Sequence, residues 1–217
     1  MIFHNLSETD SVLNTFVSEL RDVNIQCDRL RFRRNIERIG ELMAHEISKT
    51  LHYSPVSVST PLGKATVRVP DEDIVLATIF RAGLPLHQGF LNIFYKAGNA
   101  FVSAYRDEKS EGKLDVIVEY SASPALDGKT LIDVDPMLAT GGSMELSYKA
   151  LLRYGKPAKV HFAAVIASQQ AVNHLADFFP SDDFTLWVAT VDPTLNEHKY
   201  IVPGLGDAGD LAFGGKL

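Results

Sequence analysis

This chain has a single cysteine and no long apolar run. Cys27 is the only cysteine among 217 residues, so an internal disulfide is excluded. No stretch approaches the roughly 18 consecutive apolar residues of a membrane span. The opening MIFHNLSETD also lacks the basic and then apolar order of a secretory signal. We therefore expect a cytoplasmic protein in a reducing compartment, with no membrane partner.

An excess of positive charge is missing as well. The chain has 27 Asp and Glu against 21 Lys and Arg, a formal net charge of −6. Since basic residues that neutralise phosphates supply most nonspecific affinity for nucleic acids, we expect no nucleic-acid partner. The seven histidines show no zinc-site spacing, so no protein-held metal is expected. One basic cluster fits either the solvated start of a helix or an anion site: Arg29, Arg31, Arg33 and Arg34.

The hydrophobic pattern predicts an α/β fold, with a mostly parallel central sheet flanked by helices. A single domain over residues 1–217 suits the length. Helical spacing indicates amphipathic helices near 12–20, behind a capping box at Ser7, and at 34–51. Alternation over 56–69 indicates a β-hairpin arm, and the apolar run 73–80 is typical of a parallel strand covered on both faces. Further strands are predicted at 99–105, 114–120, 129–134, 159–167 and 184–191, with helices at 84–95, 144–154 and 169–179 between several of them.

A loop of glycines and hydroxyl residues follows one predicted strand and precedes a helix. The segment TLIDVDPMLATGGS places Asp133 and Asp135 ahead of residues 140–143. Ligands of open α/β sheets bind beyond the carboxyl ends of strands, and a helix N-terminus offers amides to an anion. Paired carboxylates can accept hydrogen bonds from vicinal ribose hydroxyls. A plain helix cap would leave the acidic pair unexplained, and a P-loop would need a Lys that is absent. The segment therefore predicts a sugar-phosphate site.

Residues 135–143 resemble the phosphoribosyl-diphosphate signature of phosphoribosyltransferases, in the form found in the uracil phosphoribosyltransferase family. Residues 80–85 (FRAGLP) resemble that family's arginine-glycine loop, and residues 200–210 (YIVPGLGDAGD) resemble its uracil-binding tail. The match runs from about residue 25 to the C-terminus. It implies pyrimidine salvage, in which ribose 5-phosphate passes from 5-phospho-α-D-ribose 1-diphosphate to N1 of uracil, giving UMP and diphosphate.

The resemblance also implies the residues that bind each substrate. The phosphoribosyl donor would contact Arg81, Arg106, Asp133, Asp135, Pro136, Met137, Leu138, Ala139, Thr140, Gly141, Gly142, Ser143 and Asp207. Uracil would lie in a hood formed by residues 192–217, against Asp207 and the main chain of Ile201, Gly206 and Ala208. Arg106 and Asp207 would be the catalytic residues. Leu211 departs from the family pattern, which often has Arg at that position.

For three of these segments a purely structural role is an open alternative. Arg81 could simply pair with a carboxylate, and the glycine-rich tail could be a plain turn. The polar composition of residues 106–113 suits a mobile arm that excludes water, but these residues could also be a solvated connection. We expect residues 203–210 to form neither helix nor strand, and the apolar Ile201 and Val202 before them to be anchored. The family further implies magnesium bound with the diphosphate, GTP as an effector in some members, and a homodimer or larger assembly. Exposed apolar stripes on the first two helices would suit a subunit contact. Two competing functions are an RNA-binding regulator and an inactive nucleotide-binding module.

Overall fold

A mostly parallel sheet runs through the centre of the molecule. The computed structural model describes residues 1–107 and 115–215, with the backbone alone at 104–107 and 115–119. The strands are β1 (Ile2–Asn5), β2 (Tyr53–Thr60), β3 (Gly63–Pro70), β4 (Ile74–Phe80), β5 (Gly98–Asp107), β6 (Asp115–Ala122), β7 (Thr130–Val134), β8 (Met137–Leu138), β9 (Lys159–Ser168), β10 (Phe184–Asp192), β11 (Thr194–Leu195) and β12 (Ile201–Val202). The helices are α1 (Val12–Arg21), α2 (Arg29–Ser48), α3 (Leu84–Ile93), α4 (Gly142–Leu151), α5 (Gln169–Phe178) and α6 (Ala208–Phe213).

The central sheet has the strand order β1-β10-β9-β7-β4-β5-β6, and the short β8 pairs with β9. Pairing is antiparallel between β5 and β6 and parallel at the other contacts of this sheet. The strands predicted from apolar runs lie in its middle, where both faces are covered. The predicted α/β class with a mostly parallel sheet is confirmed.

Two hydrophobic clusters cover the two faces of this sheet. On one face α1, α2 and α3 pack through side chains such as Leu20, Ile39 and Phe90, and on the other α4 and α5 pack through Met144 and Leu175. Strand β7 contributes side chains to both clusters, since Ile132 and Val134 belong to the first and Leu131 to the second. Because side chains alternate along a strand, Asp133 faces the α4 layer. Within the described residues, no helix is both long and apolar enough to cross a membrane.

The hairpin of β2 and β3 forms a separate two-stranded sheet, as predicted. Val56 pairs with Val67 and Val58 with Ala65. Since paired residues of antiparallel strands share a face, one apolar surface results, which we name the valine face: Val56, Val58, Ala65, Val67 and Val69. Its valines are between 37 % and 46 % exposed. The hairpin therefore presents apolar area to the outside of this chain.

Two details near the N-terminus differ from expectation. Helix α1 is capped by Ser11, whose Oγ accepts from the Leu13 amide at 3.3 Å. The predicted cap at Ser7 is wrong because Leu6–Glu8 form a 3-10 turn, in which the Ser7 hydroxyl donates to Asn5 Oδ1 at 2.9 Å. Strand β1 was not expected, because four residues at a sheet edge carry too little pattern to be recognised.

Candidate active site

The loop at residues 135–143, here the glycine loop, lies at the carboxyl end of β7 in the middle of the sheet. Its Gly141 precedes α4 with a φ of 86°. A Cβ there would lie 2.8 Å from His174 Cδ2, so the turn requires glycine. The first amides of a helix have no partner inside it, and they form its positive end. The glycine loop thus offers what an anion site needs.

Strand β9 holds the glycine loop by hydrogen bonds. The carbonyl of Pro136 accepts from the amides of Val165 at 3.1 Å and Ile166 at 3.0 Å. The Ser168 hydroxyl donates to the Ala139 carbonyl at 2.5 Å. Leu138 is buried among the core residues next to α4 and α5, so its side chain has a packing role.

The two carboxylates of the motif have different surroundings. Asp135 is half-buried, and its Oδ1 accepts from the Met137 amide at 3.4 Å. Asp133 is 0 % exposed, and its carboxyl faces the Ser147 hydroxyl without a hydrogen bond of standard geometry among the described residues. Burial raises the pKa of Asp133 to about 7, the Asp135 charge adds to the rise, and Ser147 opposes it. We correct the expected ribose contact of Asp133, because a carboxyl without accessible surface cannot reach a ligand.

Arg81 follows β4 directly, after a cis Phe80-Arg81 peptide bond. Its Nη2 donates to Asp210 Oδ1 at 3.1 Å, and both Nη atoms donate to the Gly214 carbonyl at 3.3 Å. The pairing with a carboxylate that the sequence left open is therefore present. Close by, a Cβ on Gly83 would lie 2.1 Å from Thr78 Oγ1 and 3.2 Å from the Val134 carbonyl. The 81–83 turn thus lies between β7 and α6.

The glycine-rich tail is more ordered than expected. Strand β12 pairs with β11, and Ala208–Phe213 form α6. The prediction of neither helix nor strand over residues 203–210 is wrong from Ala208 onward, because two contacts stabilise this short helix. Asp207 Oδ1 accepts from the Asp210 amide at 3.0 Å as an N-cap, and Arg33 Nη1 donates to the Ala212 carbonyl at 2.7 Å. The side chains of Ala208 and Ala212 are small, so α6 can pack closely on α2.

The segment at residues 201–207, here the tail loop, shares one hydrophobic cluster with the glycine loop. Ile201 and Leu205 are buried in it, and Met137 and Ala139 of the glycine loop pack against the same cluster. Ala208, which follows the tail loop, is 1 % exposed, whereas Gly206 and Asp207 are exposed. Two segments far apart in sequence are thereby brought to one side of the sheet.

Comparison with known proteins shows the family of the chain. The family model for uracil phosphoribosyltransferase matches residues 7–215. The chain belongs to the uracil phosphoribosyltransferase family. A uracil phosphoribosyltransferase of Porphyromonas gingivalis is 59 % identical over 213 residues and covers 98 % of both chains. One of Thermococcus gammatolerans is 35 % identical and covers 97 % of this chain and 92 % of its own length.

Solved structures agree on the fold of the uracil phosphoribosyltransferase family member described here. A protein of Aquifex aeolicus superposes with a TM-score of 0.87 at 29 % identity, covering 98 % of both chains. Orotate phosphoribosyltransferase of Mycobacterium tuberculosis, solved with 5-phospho-α-D-ribosyl 1-diphosphate, reaches 0.52 at 13 % identity, covering 87 % of this chain and 95 % of its own. The predicted family and fold are both confirmed.

Not every residue expected from the resemblance can be placed in the site, and two residues near the tail loop were not expected. Arg106 lies on β5, but its side chain is outside the described residues, as are residues 108–113 of the mobile arm expected over 106–113. Leu211, where the resemblance led us to expect Arg, packs against the cluster beneath the tail loop. Sequence reasoning missed Arg21 and Asp192, which contact each other across 171 residues. No local pattern could have linked them.

Proposed function

We propose that this protein is a uracil phosphoribosyltransferase, which transfers ribose 5-phosphate from phosphoribosyl diphosphate to N1 of uracil and releases diphosphate and UMP. Family membership supports the reaction. The observation that carries it is the shared cluster that brings the glycine loop and the tail loop to one side of the sheet. One loop suits a sugar phosphate and the other exposes main-chain groups, so a phosphate and a base can be bound together.

The donor is assigned to the glycine loop and two arginines. Residues 140–143 would bind the 5-phosphate at the start of α4, and Asp135 would accept hydrogen bonds from the ribose hydroxyls. Arg81 and Arg106 would stabilise the negative charge that grows on the leaving diphosphate. For Arg81 this means exchanging Asp210 for the diphosphate, one anion for another.

The base is assigned to the tail at residues 192–217 of a single domain. The main chain of Ile201, Gly206 and Ala208 would pair with the acceptor–donor–acceptor edge of uracil. A polar site rejects analogues that leave its groups unpaired, so cytosine should bind poorly. Asp207 uses Oδ1 to cap α6 and is exposed, which leaves its second oxygen for the donor or for the proton at uracil N1.

Magnesium is proposed to arrive with the diphosphate as part of the substrate. Among residues 1–107 and 115–215, no group of three His, Cys, Asp or Glu residues could hold a metal ion. Mg²⁺ usually keeps several waters and is bound through one or two carboxylates together with substrate phosphates. Asp207 would meet it directly or through water, and Arg81 would share in neutralising the same phosphates.

A homodimer or larger assembly is proposed through the valine face. The stripes on α1 and α2 that suggested a subunit contact are buried inside this chain, for example at Val17, Leu20 and Ile39, so that reason is withdrawn. An exposed apolar surface of the hairpin's kind usually marks a contact site. Val67→Asp should therefore reduce the molar mass measured by light scattering, whereas Arg68→Asp on the opposite face should not.

Turnover tests the proposal directly. The purified protein is incubated with uracil, phosphoribosyl diphosphate and magnesium, and UMP is separated by chromatography. UMP should form with uracil, and CMP should not form with cytosine. An RNA-binding regulator would instead retard RNA at physiological salt without forming UMP, and an inactive module would bind nucleotide without turnover. Activation by GTP stays a prediction, and adding GTP to this assay checks it.

A further inference from the structure

An ion pair between the half-buried Arg21 and the buried Asp192 lies behind the tail loop. Asp192 ends β10 and is 4 % exposed. Its Oδ1 accepts from Arg21 Nη2 at 2.7 Å, and its Oδ2 accepts from Arg21 Nη1 at 2.9 Å. The same Oδ2 accepts from the Gly204 amide at 2.8 Å, and Arg21 Nη1 also donates to the Gly204 carbonyl at 3.0 Å. Both main-chain polar groups of one residue in the tail loop are thus held by this pair.

The geometry at Gly204 leaves little freedom for the loop. Its φ is 63°, and a Cβ there would lie 2.1 Å from the Ile201 carbonyl, so the chain turns tightly against itself. A two-pronged Arg–carboxylate contact fixes orientation as well as distance. A buried carboxylate is costly unless it is paired, so neither partner can drop out cheaply. The pair therefore joins the end of α1, the end of β10 and the tail loop into one unit.

We propose that Arg21 and Asp192 are positioning residues for recognition of the base. They fix the main chain at Gly204, two residues before Gly206, which the proposed function assigns to uracil, and this inference rests on that function. The glycine loop has its own attachment to β9 through Pro136 and Ser168. Loss of the pair should therefore weaken uracil binding and leave the phosphoribosyl donor nearly unaffected.

Steady-state kinetics of the full-length enzyme test this separation. For Arg21→Ala we expect the KM for uracil to rise by about 10-fold or more, because small misplacements of binding groups are costly. The KM for phosphoribosyl diphosphate should stay within about 2-fold, since its loop is held elsewhere. Calorimetric titration with uracil in the presence of diphosphate measures the dissociation constant for uracil without turnover, and this constant should rise as well.

Conservative variants keep the test sharp if Arg21→Ala folds poorly. Arg21→Lys preserves the charge and loses the fork, so the KM for uracil should lie between those of Arg21→Ala and the unaltered enzyme. Asp192→Asn should also raise it. Arg153→Ala is the matched control, because Arg153 follows the far end of α4 and donates to the Ser121 carbonyl at 2.8 Å. It should change neither KM.

The outcomes separate this inference from the function beneath it. If the unaltered protein forms no UMP, the proposed function and the inference both fail. If it forms UMP and the variants lose only kcat or thermal stability, with an unchanged KM for uracil, the pair is merely structural and the inference alone is overturned. An equal rise in both KM values overturns it as well.

Discussion

The glycine loop and the tail loop are attached to the protein by different kinds of contact. The glycine loop grows out of a central strand, continues into α4 and is bonded to the neighbouring β9. The tail loop leaves the sheet after β10, next to the edge strand β1, and depends on side chains from elsewhere, namely Arg21 and, through α6, Arg33 and Arg81. One half of the proposed site is therefore set by sheet topology and the other by a few long-range polar contacts. Substitutions should be able to damage either half alone.

The largest effect should come from Gly141→Ala in the glycine loop. Gly141 and Gly128 both have positive φ, 86° and 71°, but only Gly141 has a neighbour, His174, at 2.8 Å from a built Cβ. We expect Gly141→Ala to lower kcat/KM for phosphoribosyl diphosphate by about 100-fold, as for a loop displaced by about 1 Å. Gly128→Ala carries the same backbone penalty and serves as control. Equal losses in the two variants would contradict the assignment.

Ala208→Asp should damage the other half. Ala208 is 1 % exposed, so an added carboxylate must displace the main chain proposed to contact uracil or enter the base site itself. We expect uracil affinity, measured calorimetrically, to fall by at least about 10-fold, with donor affinity retained. Gly215→Asp adds the same charge where a built Cβ meets nothing within 4 Å. Unchanged uracil affinity in Ala208→Asp would refute the placement.

Asp135→Asn should weaken the binding of the phosphoribosyl donor. A hydrogen bond to a charged group contributes roughly 1.5–3 kcal/mol, so turnover and donor affinity should each fall by about 10-fold or more. The melting temperature should change little, because Asp135 is half-buried and the substitution keeps its shape. Full activity would count against the ribose role.

The smallest effect on activity should come from Asp133→Asn, which changes stability instead. The folded pKa is about 7 and the unfolded value is near 3.8, so between these pH values the unfolded chain ionises while the folded chain keeps its proton. Stability of the unaltered protein therefore falls as pH rises through this window and stays lowered above it. Relative to it, the Asn variant should gain up to about 4 kcal/mol between pH 4 and pH 8. Urea unfolding of both proteins at pH 4 and pH 8 checks this. The same difference in free energy of unfolding at the two pH values would contradict the raised pKa of Asp133.

The sequence predicted the glycine loop better than the tail loop. The glycine loop is a contiguous strand, turn and helix, and its neighbours β4, β7 and β9 are apolar runs, so local patterns were sufficient. Asp133 was misassigned because a pattern does not reveal that α4 covers the last residues of β7. Helix α6 was missed because its stability comes from the Asp207 cap and from Arg33, a contact between distant segments. Arg21 and Asp192 were missed for the same reason.

A crystal structure of the protein with UMP tests the central claim most directly. We expect the phosphate on the amides of residues 140–143, the ribose near Asp135 and the uracil ring against the main chain of the tail loop, all in one cleft. A phosphate bound instead at the arginines that begin α2, or a base that leaves the tail loop untouched, would contradict it.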